Sequence, residues 1–148
     1  MTGVQTCALP ILRVLLERGA DVNRRNTNGE TPLHGAVSYG EVEMSRMLLD
    51  AGAEIDAGGG VIESGTPLLL AVFFGMLACA RLLVKRGAAM QDAAIAAGMG
   101  DLAKLRALLD ETPPDLPTLQ RAFAFACING QQDTGAWLLT HGANISVR

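Results

Sequence analysis

The residues of this chain that could carry out catalysis or bind a metal ion are few and widely spaced. Neither His34 nor His141 has a carboxylate or a cysteine at a spacing that would make a nucleophile–base pair or a metal site. The glycine run at 58–60 lacks the Gly-Lys-Ser/Thr of a phosphate-binding loop, and the three cysteines have no ligand-like spacing. We therefore expect no catalytic residue, no metal site and no cofactor, and we predict that the chain is not an enzyme.

Composition and charge narrow the class of fold and of partner. Of the 148 residues, 49% are hydrophobic but only 4% aromatic, which favours an all-α fold of Leu- and Ala-packed helices. The net charge is −3 and no basic cluster occurs, which argues against nucleic acid as a direct ligand. The longest uncharged apolar stretch, 67–80, is short and is interrupted by Gly75, so we expect no membrane insertion.

The stretch 28–52 carries the signals of two short helices joined by a turn. Thr31 is suited to cap a helix that begins at Pro32, because proline fits the first turn, where its missing donor is not needed. Gly40 permits the left-handed residue that ends such a helix. A second apolar run, 42–49, follows and ends at Gly52. These signals predict a helix–turn–helix unit.

The helix–turn–helix signals recur at a nearly constant interval. Gly19 and Gly52, which end successive second helices, are 33 positions apart. This interval is the period of the ankyrin repeat, which the chain resembles in its helix starts and stops. The residues that carry this resemblance are Thr31-Pro32-Leu33-His34, Gly40, Leu48-Leu49 and Gly52-Ala53-Glu54-Ile55-Asp56.

The resemblance to ankyrin repeats has two structural implications. It implies an all-α solenoid of stacked helix–turn–helix units with short β-hairpin fingers. It also implies that His34 links neighbouring backbones through hydrogen bonds, a link that the second repeat lacks because Leu69 stands at the matching position.

The repeat signals divide the chain into five segments after residue 11. We assign a partial repeat to 12–25, complete repeats to 26–57 and 58–90, a degenerate repeat to 91–117 and a terminal repeat to 118–148. Two extra residues fall in the second finger, where a repeat stack tolerates insertions.

The first eleven residues, 1–11, resemble the translation of a sequencing adaptor. Pro10 breaks the helical pattern, and a repeat half begins at Leu12. We therefore expect segment 1–11 to be an artefact and the native N-terminus to be missing. With that N-terminus missing, the sequence assigns no compartment beyond a weak preference for the cytoplasm.

The adjacent Phe73 and Phe74 are the strongest candidates for a binding surface. Neighbouring residues on a helix point about 100° apart, so both rings cannot face one core. The ankyrin pattern implies that the two residues before each helix-ending glycine lie on the exposed concave face. The alternative is that one phenylalanine packs against the degenerate third unit. The residues that we predict to bind a partner are Arg25, Thr27, Asn28, Glu30, Ser38, Tyr39, Leu70, Phe73, Phe74 and Met99.

The sequence supports two hypotheses for function. The first is a monomeric, non-enzymatic protein–protein interaction module that binds a partner through the concave helix face and the finger tips. The second is a regulatory or targeting fragment of a larger multidomain protein, with or without an enzymatic domain elsewhere. The flanking sequence would distinguish them, since it would show whether further domains exist.

Overall fold

The computed structural model describes residues 3–60, 62 and 65–143, and within this part of the chain it contains α-helices and no strand. The predicted all-α fold class is confirmed. The chain divides into two compact units, one comprising the residues up to Ala71 with Ala78–Ala88, the other Val72–Leu77 with the residues from Ala89 onward. The helices are α1 (Gly3–Glu17), α2 (Pro32–Ser38), α3 (Val42–Asp50), α4 (Pro67–Phe73), α5 (Leu77–Lys85), α6 (Ala93–Met99), α7 (Leu102–Glu111), α8 (Leu116–Ile128) and α9 (Gln132–Thr140).

The first helix of each described repeat ends at a glycine with a left-handed backbone. Gly40, Gly75 and Gly100 all have a φ angle of 74°, and Gly130 has a φ angle of 68°. After Gly40, Gly100 and Gly130 the next N–H reaches back five residues to a helix carbonyl, over 2.9, 3.0 and 2.8 Å. This bond satisfies a carbonyl left open at the helix end and turns the chain. The second helix therefore begins two residues after each of these glycines.

The first unit has a core of leucines and small apolar residues. Helix α1 packs against α3, and α2 packs against α3. Side chains of α2 to α5 supply the buried positions, and Leu33, Val37, Leu68 and Leu83 are fully buried. Few large aromatic side chains are available, so the core is stabilised by many weak van der Waals contacts between closely packed aliphatic side chains.

The buried imidazole of His34 joins the start of α2 to the finger that precedes α4. Its Nδ1 accepts a hydrogen bond from the N–H of Thr31 over 3.0 Å, so Nε2 carries the proton and donates to the carbonyl of Gly65 over 3.0 Å. One ring thus holds segments 31 positions apart in the sequence. Leu69 has no polar side-chain atom for such a link, and the hydroxyl of Thr66 accepts the N–H of Leu69 over 3.2 Å instead.

The second unit has a core of alanines and leucines from α6 to α9. Helix α6 is buried from Ala93 to Gly98. Gly98 leaves room for Val72 and Asn129, which occupy the place where a Cβ atom would stand. The third repeat lacks a Thr-Pro start, and Asp92 caps α6 instead, accepting the N–H of Ala94 over 2.7 Å. The members of the buried cluster are Ala93, Ala96, Ala97, Leu105, Leu119, Ala122, Ala126, Leu138 and Ala143.

Helix α1 differs from our expectation that Pro10 breaks the helical pattern. It runs from Gly3 to Glu17 with Pro10 inside it. Proline removes one hydrogen bond from a helix interior, but Pro10 lies on an exposed side and α1 is held by its packing against α3. The interpretation of segment 1–11 as an artefact stays a prediction, and Met1 and Thr2 lie outside the described residues.

The fingers are closed by turns, by side chains and, in the first finger, by a backbone hydrogen bond from the N–H of Asn26 to the carbonyl of Glu30 over 2.9 Å, and no strand is formed among the described residues. In the first finger the Asn26 Oδ1 accepts the N–H groups of Asn28 and Glu30, both over 2.9 Å. These contacts occupy donors that a strand ladder would use. In the second finger the N–H of Gly60 donates to the carbonyl of Asn28 over 3.0 Å. Residues 61, 63 and 64 of the predicted insertion lie outside the described residues.

The last repeat has its first helix two residues earlier than predicted. We expected regular structure from Thr118, but α8 begins at Leu116, because Pro117 fits the first turn and Asp115 caps the helix. The Asp115 Oδ1 accepts the N–H of Thr118 over 2.9 Å. Hydrogen bonds from the side chain and the N–H of Thr118 hold the pKa of Asp115 below its ordinary value. Residues 144–148 of the predicted terminal repeat lie outside the described residues.

Replacing His34 by leucine should destabilise the chain. His34→Leu leaves the N–H of Thr31 and the carbonyl of Gly65 buried without partners, and we expect a loss of about 2 kcal/mol in the free energy of unfolding. Urea denaturation followed by circular dichroism measures this. The matched control is His141→Leu at an exposed histidine whose contacts are to Trp137 and Thr140 at the end of α9, with an expected loss below about 1 kcal/mol because its partners reach water. Equal losses for the two variants would show that the His34 link does not stabilise the fold.

Candidate functional site

The second unit exposes a group of large apolar side chains, which we call the Phe73 patch: Phe73, Phe74 and Ile128. Their exposed fractions are 40%, 47% and 53%. Ile128 lies beside Gly75, the residue that follows Phe74: its Cγ2 is 3.9 Å from the place where a Cβ atom on Gly75 would stand. Exposed apolar groups that form a contiguous patch are characteristic of interaction surfaces.

Ring packing holds the Phe73 patch in place. The rings of Phe73 and Phe74 meet edge to face with centroids 5.1 Å apart, and the centroids of Phe73 and the buried Phe125 are 5.9 Å apart. Phe125 in turn packs beside Gly98, whose missing side chain lets α6 and α8 approach closely. The exposed rings are therefore anchored from beneath, and a partner would meet them with little ordering cost.

Asn129 fastens the residues around the Phe73 patch. Its Nδ2 donates to the carbonyl of Val72 and to that of Phe125, both over 2.9 Å. Its Oδ1 is buried and has no hydrogen-bond partner among the described residues. Two donated bonds fix the amide orientation, because turning it over would place its oxygen against two carbonyl oxygens. The backbone just before Phe73 is thereby tied to α8.

The predicted first-helix residues differ in their surroundings. Tyr39, in the first unit, is 82% exposed, whereas Ser38 is half-buried and donates from its hydroxyl to the carbonyl of His34 over 2.7 Å. Met99, in the second unit, is half-buried. That Tyr39 and Met99 join one row with Phe73 and Phe74 stays a prediction.

Leu70 does not extend the apolar surface as we expected. It is only 1% exposed and belongs to the core. The reason is that α4 is buried from Leu68 to Val72, so the position one turn before Phe74 faces neighbouring side chains as well. The spacing rule that relates i and i−4 holds for a helix with one exposed stripe, and α4 has no such stripe before Phe73.

The predicted residues of the first finger are only partly free to bind a partner. Arg25 donates from Nη1 to the carbonyls of Gly29, over 2.8 Å, and Gly58, and its Nη2 is 3.8 Å from Glu54. The Glu30 carboxylate accepts from Asn26 over 2.9 Å. Arg25 therefore connects the two fingers rather than pointing freely outward. The residues that remain open at the tip are Thr27 and Asn28, both exposed.

Ile128 was missing from the predicted binding residues although its signal was in the sequence. It stands two positions before the helix-ending Gly130, the same place that Phe73 holds before Gly75. The ankyrin pattern already implied an exposed place for Ile128, and its exposure of 53% agrees with that expectation, although it was left out of the predicted binding residues.

The described residues contain little that could act chemically. No group of three or more His, Cys, Asp or Glu side chains among them is arranged to hold a metal ion. The His141 Nδ1 is 2.8 Å from the carbonyl of Trp137, and the two rings stack at 3.9 Å, so this histidine belongs to the end of α9. No helix in the described part of the chain is long and apolar enough to cross a membrane.

The fold and the exposed patch define the class of all-α repeat modules that present a preformed surface. The family model for ankyrin repeats, in three copies, matches residues 1–94, and the chain belongs to the ankyrin repeat family. Ankyrin repeats generally mediate protein–protein interactions, and the family is typically non-enzymatic.

Similar proteins come from distant organisms. The chain is 43% identical over 60 residues to an ankyrin repeat protein of Fowlpox virus, covering 40% of this chain and 12% of that protein. It is 36% identical over 81 residues to the ankyrin repeat and KH domain-containing protein mask of Drosophila melanogaster, covering 55% of this chain and 2% of that protein. It is 43% identical over 65 residues to the protein fem-1 homolog A-like of Mus musculus, covering 44% of this chain and 10% of that protein. The chain thus spans no more than 12% of any of these relatives.

The cysteines Cys79 and Cys127 should differ strongly in reactivity. Burial raises the pKa of the Cys79 thiol, partly offset by a hydrogen bond with Ser45, whereas Cys127 is exposed. Because the thiolate is the reactive form, N-ethylmaleimide at neutral pH should label Cys127 roughly 100-fold faster. Peptide mass spectrometry measures the two rates in one sample, and labelling in urea is the control that equalises them. Comparable rates in the folded chain would contradict the buried position of Cys79.

Proposed function

We propose that this chain is a non-enzymatic module that binds a protein partner through the Phe73 patch. The observation that carries the proposal is that two adjacent phenylalanines are 40% and 47% exposed while their neighbours hold them rigidly. Aromatic side chains dominate the binding energy of protein interfaces. The chemistry offered here is apolar contact.

Met99 is a further apolar contact that we propose beside the patch, because it directly follows Gly98, which packs against Phe125. Asn129 positions the backbone before Phe73 but offers no free polar atom to a partner, since its Nδ2 donates to two carbonyls and its Oδ1 is buried. In the first unit, Tyr39 and the open finger residues Thr27 and Asn28 are proposed as a second group of contacts.

A second candidate is a regulatory or targeting segment of a longer protein. The observation in its favour is that this chain spans no more than 12% of the relatives described above, one of which is named for a KH domain. In that case the Phe73 patch would bind another segment of the same polypeptide. Recovering the full open reading frame, and testing its other domains for binding to this chain, distinguishes the two candidates.

Removing one ring of the patch should weaken partner binding far more than it weakens the fold. For a partner isolated by pull-down with the full chain, Phe74→Ala should raise Kd roughly 30-fold, or about 2 kcal/mol, as for a central aromatic contact. The loss of fold stability should be about 1 kcal/mol or less, because nearly half of the ring is already in water. Calorimetric titration and thermal melting measure the two effects.

The matched control is Leu116→Ala, because Leu116 is 48% exposed but lies at the opposite end of α8 from Ile128. It should leave Kd unchanged. Equal losses of affinity in both variants would indicate non-specific apolar adhesion. Unchanged affinity in Phe74→Ala, with the fold intact, would place the binding surface elsewhere on the chain.

A further inference from the structure

An apolar groove runs along α8 and α9, separate from the Phe73 patch. It has a volume of about 500 Å³ and is lined by Phe123, Ala126, Cys127, Gly135, Ala136 and Leu139 among others, with no charged side chain in its lining. Leu139 is 42% exposed and Cys127 is exposed. A terminal repeat that faces water needs a polar outer surface, whereas this groove is mainly apolar, with Gln131 and Gln132 as its polar lining residues.

The repeat register shows what this groove corresponds to. Gly100 and Gly130 end the first helices of successive units, and the same backbone hydrogen bond follows each of them. Counting from these glycines, Phe123, Cys127 and Gly135 take the positions that Ala93, Ala97 and Leu105 hold one unit earlier. The groove on the last unit is therefore the counterpart of a defined face of α6 and α7.

That earlier face is completely covered. Ala93, Ala97 and Leu105 are 8%, 0% and 0% exposed. They are buried in one cluster with Leu119, Ala122, Ala126 and Leu138, which α8 and α9 contribute. Small side chains on α6 receive the leucines of the following helix pair, and this is how one unit stacks on the next within this part of the chain.

The groove on α8 and α9 has its low floor on the second helix, because Gly135 stands where Leu105 stands one unit earlier and Phe123 stands where Ala93 stands. The small residues Gly135 and Ala136 form the floor of the groove. The ring of Phe123 packs against this floor, because its Cε2 is 3.7 Å from the place where a Cβ atom on Gly135 would stand. A low floor of small residues between larger apolar walls accepts a ridge of leucine and alanine side chains. The ridge of α8 and α9 consists of Leu119, Ala122, Ala126 and Leu138 and is already buried against α6 and α7. A second copy of this chain therefore has no exposed ridge to place in the groove.

We propose that the α8–α9 groove is a stacking interface for a further helix pair of the same repeat. This helix pair would sit on α8 and α9 in the register in which α8 and α9 sit on α6 and α7. The inference rests on continuity of an interface present in the structure and is independent of the Phe73 patch. Its occupant is a helix pair with leucine and alanine at the positions of Leu119, Ala122, Ala126 and Leu138.

The test is to append residues 112–143 a second time after Arg148. The appended copy alone carries Phe123→Gln, Cys127→Ser and Leu139→Gln, so that its own outer face is polar and the chain keeps one Cys127. Labelling of this Cys127 by N-ethylmaleimide should slow at least tenfold, because the thiol becomes buried. The melting temperature should rise by roughly 5 °C, as added nearest-neighbour contacts stabilise a repeat stack.

The matched control changes only the appended ridge, with Leu119→Asp, Ala122→Asp and Leu138→Asp in that copy. It should leave Cys127 labelling as fast as in the unmodified chain. The proposal is overturned if the unchanged ridge fails to protect Cys127, whether the appended copy folds or not. It is also overturned if Cys127 of the unmodified chain becomes protected with rising concentration while sedimentation shows dimers, since a second copy would then be the occupant.

Discussion

Short helices that cannot bury their own apolar side chains are the constraint on which this structure depends. Helices α2 and α3 have seven and nine residues, and isolated helices below about 12 residues are marginal in water. Each helix pair is therefore stable only when another element covers its apolar face. In the first unit the buried leucines and the His34 link provide this cover, and in the second unit the cluster around Ala97 and Leu138 provides it.

The same constraint explains where apolar side chains remain exposed. Helix α4 is buried from Pro67 to Val72, so its side chains emerge only at its end, just before the helix-ending glycine. Phe73 and Tyr39 stand at such positions, and Ile128 stands at the end of the longer α8. The positive φ at the glycine turns the backbone sharply and leaves these side chains uncovered.

The fold by itself does not specify what is bound. A repeat architecture supports many functions, and function must be argued from the surface that a given sequence presents. The surfaces that we propose here are the anchored aromatic rings of the Phe73 patch and the apolar groove at the α8–α9 pair. Both surfaces offer shape and apolar contact, which suits recognition of a folded partner more than chemistry on a small molecule.

Local signals in the sequence determined the helix boundaries and the repeat register. Thr31, Pro32 and the glycines at helix ends act through their own backbone preferences, so their positions predict starts and stops without knowledge of the neighbours. The same reasoning identified Phe73 and Phe74, because adjacent helical residues cannot share one core. These inferences needed only spacing.

Only the tertiary structure decided which side chains are free. Leu70 is buried because α4 is surrounded, and Arg25 is engaged because carbonyls of two fingers lie within its reach. The finger has turns in place of strands because the Asn26 side chain takes the backbone donors. Each outcome depends on atoms far away in the sequence or on competition between side chain and backbone for one hydrogen bond. Spacing and composition do not contain that information, since it arises when the repeats pack together.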